Sequence, residues 1–138
     1  MLTRDAVSTL IPHAGSMLLI DEVLAWSGET ILCATACHRD PRMPLRRDER
    51  LPVVSGVEFA GQATAIHGAL VAGRRHKGML AAVRNIRFST DRLDDVDADL
   101  FIAAQRELGG PQGAVYRFAI GDGRRTLVTG RLTAIVYA

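Results

Sequence analysis

Ser55-Gly56-Val57-Glu58-Phe59-Ala60-Gly61-Gln62-Ala63-Thr64 reads as the opening of a buried helix made mostly of small and apolar residues, with a carboxylate in its first turn. The helical pattern runs from Gly56 to about Val71, where Val57, Ala60, Ala63 or Thr64, and Ile66 to Leu70 supply an apolar face. Gly61 and Gly68 weaken its intrinsic propensity. Glycines and alanines over such a length predict a helix that other backbone approaches closely, and so one wrapped by a sheet. Glu58 then needs a reason. Ser55-Gly56-Val57-Glu58 matches the Ser-x-x-Glu capping box, in which two side chains satisfy backbone amides reciprocally. The other reading gives the carboxylate a chemical task.

Outward from this helix the chain alternates strands and turns. Residues 3–10 predict a short leading helix, with Thr3 as cap and Asp5 in its first turn, ended by Pro12. Residues 17–26 and 30–37 predict a hairpin about the Ser27-Gly28-Glu29 turn. A polar loop over 38–52 carries Arg39, Arg42, Arg46, Arg47 and Arg50. Past Gly73 and a basic turn, residues 79–88, 99–108, 114–121 and 125–137 read as strands. Asp94-Asp95, Gly109-Gly110-Pro111 and Gly121-Asp122-Gly123 supply the turns between them.

Two strands, one long helix and four strands predict an α+β protein in which one antiparallel sheet of about six strands curls around its only covering helix. This is the hotdog arrangement, expected as one domain over residues 1–138. A single wrapped helix leaves sheet edge uncovered, so a dimer is expected.

Composition narrows the function. With 48% hydrophobic residues and mean hydropathy of +0.11 the chain is a packed globular protein. A net charge of +2 and no basic stripe interleaved with aromatics argue against a nucleic-acid binder. No apolar run approaches the roughly 20 residues of a membrane span, and the first residues do not resemble a secretory leader, which predicts a cytoplasmic protein. Cys33 and Cys37, in one strand, would stand about 13 Å apart at 3.3 Å per residue and cannot bridge. They read as buried thiols, and neither a metal site nor a cofactor is expected.

Two blocks carry a family resemblance. Ile11-Pro12-His13-Ala14-Gly15-Ser16-Met17-Leu18-Leu19-Ile20-Asp21-Glu22-Val23-Leu24 is similar to the Leu-Pro-His run into a Leu-Leu-Val-Asp strand of the FabZ-type 3-hydroxyacyl-[acyl-carrier-protein] dehydratases. Glu58-Phe59-Ala60-Gly61-Gln62-Ala63-Thr64 resembles that family's Glu-Ala-Met-Ala-Gln-Ala-Thr helix segment. Arg84-Asn85-Ile86-Arg87-Phe88 weakly resembles its third strand, and the order holds over nearly the whole chain. The chain departs where the family places a catalytic histidine in a Gly-His-Phe-Pro-Gly run, because Pro44 stands there. The approach Leu51-Pro52 to Gly56-Val57-Glu58 looks instead like the ApeP-like branch associated with aryl polyene clusters.

The resemblance implies a dehydratase acting on a 3-hydroxyacyl thioester, carried by acyl carrier protein or coenzyme A, in fatty-acid or aryl-polyene biosynthesis. That reaction needs a base for the proton beside the carbonyl, donors for the enolate-like oxygen, and an acid for the departing hydroxyl. Glu58 is the expected acid, its pKa raised by burial. Gly56 and Val57 are the expected amide donors at the helix start, glycine admitting the thioester closely. His13 is the expected base, weighed against a loop role. Gln62, one turn after Glu58, orients the carboxylate or a water, or makes a structural hydrogen bond. His38, His67 and His76 read as loop, structural and solvated residues respectively. The loop arginines and the basic turn at 74–77 read as solvated surface or as contacts to an acidic carrier or a pantetheine phosphate. Two other readings compete: a hotdog thioesterase using a lone carboxylate, and a weakly catalytic partner that stabilises an intact dehydratase subunit.

Overall fold

The structure is a computed structural model that describes residues 1–11, 15–74 and 77–137. Its elements are α1 (Arg4–Ser8), β1 (Glu22–Trp26), β2 (Thr30–Thr35), α2 (Gly56–Ala72), β3 (Lys77–Phe88), β4 (Leu100–Gly110), β5 (Gly113–Gly121) and β6 (Thr126–Tyr137). Short 3-10 turns lie at Gly15–Met17, Cys37–Arg39 and Val53–Ser55. The strands form one antiparallel sheet in the order β1-β2-β4-β5-β6-β3. Five of them, β2 to β6, pack on α2. This is the expected hotdog.

Local chemistry sets the turns. In the β1–β2 hairpin the Ser27 hydroxyl accepts from the Thr30 amide at 3.1 Å and lies 2.7 Å from the Thr30 hydroxyl. In the β5–β6 turn Asp122 Oδ1 accepts from the amides of Arg124 and Arg125, both at 2.9 Å. Helix α2 stops at Gly73, whose φ of 71° closes the helix in the left-handed region that glycine enters freely.

The core lies between α2 and the concave face of the sheet. Phe59, Ala60, Ala63 and Ile66 of α2 are fully buried against Ile102, Ile120 and Val128. Burying a side chain such as Phe59 or Ile66 contributes about 1.5–3 kcal/mol. The small residues of the helix let it sit close. A Cβ on Gly56 would stand 3.2 Å from Ile120 Cδ1 and 3.3 Å from Val128 Cγ2, so the helix start is pressed onto β5 and β6.

The edge strand β3 is bulged. Asn85 adopts a φ of 54° where the register with β6 shifts between Arg84 and Arg87. Ile86 reaches over Gly130, where a Cβ would lie 2.3 Å from its Cδ1 and 3.1 Å from the Phe118 ring.

Two expectations change. The strand read over 17–26 begins only at Glu22, because the Leu19 amide and the Met17 carbonyl bond to the Gln62 side chain rather than to a neighbouring strand. Likewise β2 ends at Thr35 and Cys37 belongs to a 3-10 turn, since Asp21 Oδ2 captures the Ala36 amide at 2.8 Å and the Thr35 hydroxyl at 3.2 Å. Both cysteines are free thiols, and burial pushes the Cys33 pKa up to about 12.

Candidate active site

A groove of about 470 Å³ runs along the face of α2 that the sheet leaves uncovered. Glu58, Gly61, Ala65, Gly68 and Ala72 form its floor. Their spacing of three and four residues puts them on one helix face. Leu80 of β3, Ala134 of β6 and the β4–β5 hairpin form its walls. The small residues that weaken the helix therefore make the groove.

Glu58 lines the groove and is exposed within this chain, so the burial expected of it is not supplied by the chain's own residues. The capping box does not form. The turn Val53–Ser55 runs straight into the helix, leaving Ser55 at φ −60° and ψ −20° with no side-chain bond to the helix amides. A capping residue needs extended backbone to aim its oxygen at those amides.

The same turn alters the expected donor pair. The Gly56 amide points back to the carbonyls of Val53 and Val54, so it is already engaged. What approaches Gly56 closely is the sheet, through Ile120 and Val128. Val57 is half-buried at the helix start.

Gln62 is 5% exposed and both ends of its amide are occupied. Its Oε1 accepts from the Leu19 amide at 2.8 Å, and its Nε2 donates to the Met17 carbonyl at 2.7 Å. Of the two readings of this residue, the geometry matches the structural hydrogen bond: it clamps the run into β1 against α2. His13 lies outside the described residues, in the segment just before that clamp. Arg4 holds the run from Gly15 to Asp21, donating to the carbonyls of Gly15 and Leu18, both at 2.9 Å, while pairing with Asp21 at 2.8 Å.

The described histidines are committed elsewhere. His38 is buried with Nε2 3.0 Å from the Val96 carbonyl, and burial lowers its pKa. His67 is also buried, bonded through Nδ1 to the Tyr116 hydroxyl at 2.7 Å and through Nε2 to the Ser27 carbonyl at 2.8 Å. Its pKa is likewise lowered by burial. Neither faces Glu58 in the groove. His76 lies outside the described residues.

The arginine loop is partly internal. The Asp94 side chain is 6% exposed and takes the Leu51 amide at 2.9 Å and Arg92 Nε at 3.0 Å, with Arg46 4.0 Å away. Hydrogen bonding to Arg92 holds the Asp94 carboxyl well below the usual range. Arg39 pairs with Asp99 and Arg42 with Asp40. Arg47 and Arg50 stay exposed on a turn beside Pro52. These contacts stitch the loops before α2 and before β4 together and so position the start of α2. Sequence reasoning missed Asp21 and Asp94, because what they hold is distant backbone.

Comparison with known proteins agrees with this architecture. The ApeP-like family model, described as ApeP dehydratase, matches residues 5–137, and the chain belongs to that family. Among solved structures it is similar to the dehydratase heterocomplex ApeI:P from Xenorhabdus doucetiae, with a TM-score of 0.86 and 23% identity over 96% of this chain and 91% of that one. It is also similar to a mutant thioesterase from Pseudomonas aeruginosa, at TM-score 0.62 and 17% identity over 85% and 80% of the two chains. The PaaI protein of the E. coli phenylacetic acid degradation operon gives TM-score 0.62 and 16% identity over 83% and 81%. These likenesses show the hotdog fold. No curated protein matches the chain. None of the described helices is long and apolar enough to cross a membrane.

Proposed function

We propose that this chain supplies the acid half of a 3-hydroxyacyl thioester dehydratase site assembled between two hotdog subunits. The observation that carries the reading is Glu58, freed from capping and placed at one end of a small-residue groove, in a chain of the ApeP dehydratase family. In the reaction a base takes the proton from the carbon beside the thioester carbonyl. The electron pair left there forms the new double bond, and the hydroxyl departs as water with the proton of Glu58. Val57 is the remaining candidate for an amide donor, since Gly56 is engaged. His13 is the chain's own candidate base. The commitment of His38 and His67 to buried hydrogen bonds supports a second source, a base from the partner subunit.

Burial of Glu58 then comes from the partner. Strand β3 stands at the sheet edge over Lys77–Phe88, with Phe88 48% exposed and Val54, near the helix start, 57% exposed. An edge strand of this length calls for cover. The partner is another hotdog subunit, either a second copy or a related chain; the similar ApeI:P assembly is a dehydratase heterocomplex. The exposed Arg47 and Arg50 suit an acidic carrier protein or the phosphate of a coenzyme A thioester.

The test is to purify the chain alone and with a co-expressed hotdog partner and to follow the conjugated enoyl thioester by absorbance. Activity abolished in Glu58→Gln and retained in Glu58→Asp supports the acid role. Loss in His13→Ala assigns the base to this chain; retention assigns it to the partner. Full turnover by Glu58→Gln sinks the reading. Release of free thiol without an enoyl product selects the thioesterase reading, which an exposed lone carboxylate also supports.

A further inference from the structure

The β4–β5 hairpin ends in an uncharged, uncovered tip. Residues 108–116, Leu-Gly-Gly-Pro-Gln-Gly-Ala-Val-Tyr, carry no acid and no base. Leu108 is 70% exposed, and a Cβ on Gly110 would meet nothing within 4 Å, so the tip stands clear of the rest of the chain. Gly113 pairs with Ile135 of β6, which is 42% exposed. Strand β6 lies between this hairpin and the β3 edge, so pairing along that edge leaves Leu108 uncovered.

The end of α2 brings positive charge to the tip. Val71 and Arg74 line the same groove as Gly110 and Pro111, which sets the end of the helix beside the hairpin. Val71 is 40% exposed, and the exposed Arg74 opens the run Arg74-Arg75-His76-Lys77. No acidic residue occurs between Val71 and Phe88. Glu107, next to Leu108 in the chain, is paired with Arg131 at 2.8 Å. Glu29, whose carbonyl holds the Arg106 amide, is paired with Arg106 at 3.4 Å. The carboxylates near the tip are therefore neutralised, while the basic run beside it has no acid in its own stretch of chain.

We propose that this end of the molecule docks on an anionic lipid surface, with Leu108 and Ile135 entering the headgroup boundary and the 74–77 run facing the lipid phosphates. One exposed leucine needs no explanation. Exposed apolar side chains around an uncharged tip, with a cluster of cations alongside, form the pattern that rests on a bilayer without spanning it. An acidic protein partner would use the same cations but would leave Leu108 and Ile135 in water. The inference does not depend on the role of Glu58.

Co-sedimentation with vesicles tests it, using the full chain with any hotdog subunit that co-purifies. The chain is expected to pellet with vesicles of phosphatidylethanolamine and phosphatidylglycerol, to ignore vesicles of phosphatidylcholine, and to be released by added salt. Leu108→Asp is expected to weaken binding about tenfold, and Arg74→Gln about fivefold. Leu108 is exposed, so Leu108→Asp keeps the wild-type melting midpoint and its loss of binding is not a loss of fold. No pelleting with the anionic vesicles, equal pelleting with the neutral ones, or wild-type binding by Leu108→Asp overturns the proposal. Self-association without lipid that Leu108→Asp abolishes assigns the tip to a second copy and overturns it as well. So does retention on immobilised acyl carrier protein that depends on Arg74 but not on Leu108, in a chain that ignores vesicles.

Discussion

Replacing Gln62 by leucine removes both bonds by which its amide holds the run into β1, those to Leu19 at 2.8 Å and Met17 at 2.7 Å. The Leu19 amide is in a buried bond and has no other donor role, so leaving it unpaired costs about 1–3 kcal/mol. The Met17 carbonyl belongs to a residue that is 45% exposed, so water replaces much of that bond. A total of about 2–3 kcal/mol follows, which lowers the melting midpoint of a chain this size by about 5–10 °C. Gln62→Glu sharpens the test. A carboxylate still accepts from Leu19 but offers nothing to the Met17 carbonyl, whereas the neutral acid donates to it. Its folded pKa is therefore raised above the ordinary value of about 4.3. Stability relative to wild type is fully present below about pH 4.3 and is lost as pH rises through the folded pKa. Thermal denaturation of the wild type and both variants at pH 4 and pH 8 reads this directly. A Gln62→Leu midpoint within about 1 °C of wild type, or a Gln62→Glu deficit independent of pH, refutes the clamp.

Other outcomes follow from the same geometry. Glu58→Gln is expected to lower dehydration about 10²–10⁴-fold, while its melting midpoint stays unchanged because no capping box is lost; a large fall in stability would restore the capping reading. His67 and His38 both have pKa values lowered by burial, so the unfolded chain takes up protons first as pH falls. Stability is then full above the unfolded value of about 6.5 and declines as pH drops below it, a slope that denaturant titrations at pH 7.5 and 5.5 measure and that His67→Gln flattens. Asp94→Ala strands the Leu51 amide and costs about 1–3 kcal/mol. In the wild type the stability drawn from the depressed Asp94 pKa is present above about pH 3.9 and is lost as pH falls towards the folded value, which acid unfolding of wild type and Asp94→Asn compares.

The sequence by itself determined the architecture. A single small-residue helix between two and four strands leaves a sheet no other way to bury its apolar face, and α2 and the six strands fall close to their expected positions. Periodicity and turn residues are local signals, so Gly73 and Asp122 were legible as well. Only the folded chain set the hydrogen-bond partners around the helix start. Whether Ser55 caps a helix depends on backbone angles set by the turn before it, and that turn also engaged the Gly56 amide. Helical spacing makes Gln62 a neighbour of Glu58, and only the folded chain brings Met17 and Leu19 to it across more than forty residues. The strand assigned to residues 17–26 shortened for the same reason: a side chain distant in sequence claimed its backbone groups. His13 lies outside the described residues, so its expected role rests on the resemblance. The opening stretch from Ser55 to Thr64 carried the fold, and contacts distant in sequence left Ser55 without a capping bond and gave Gln62 the backbone of Met17 and Leu19 to hold.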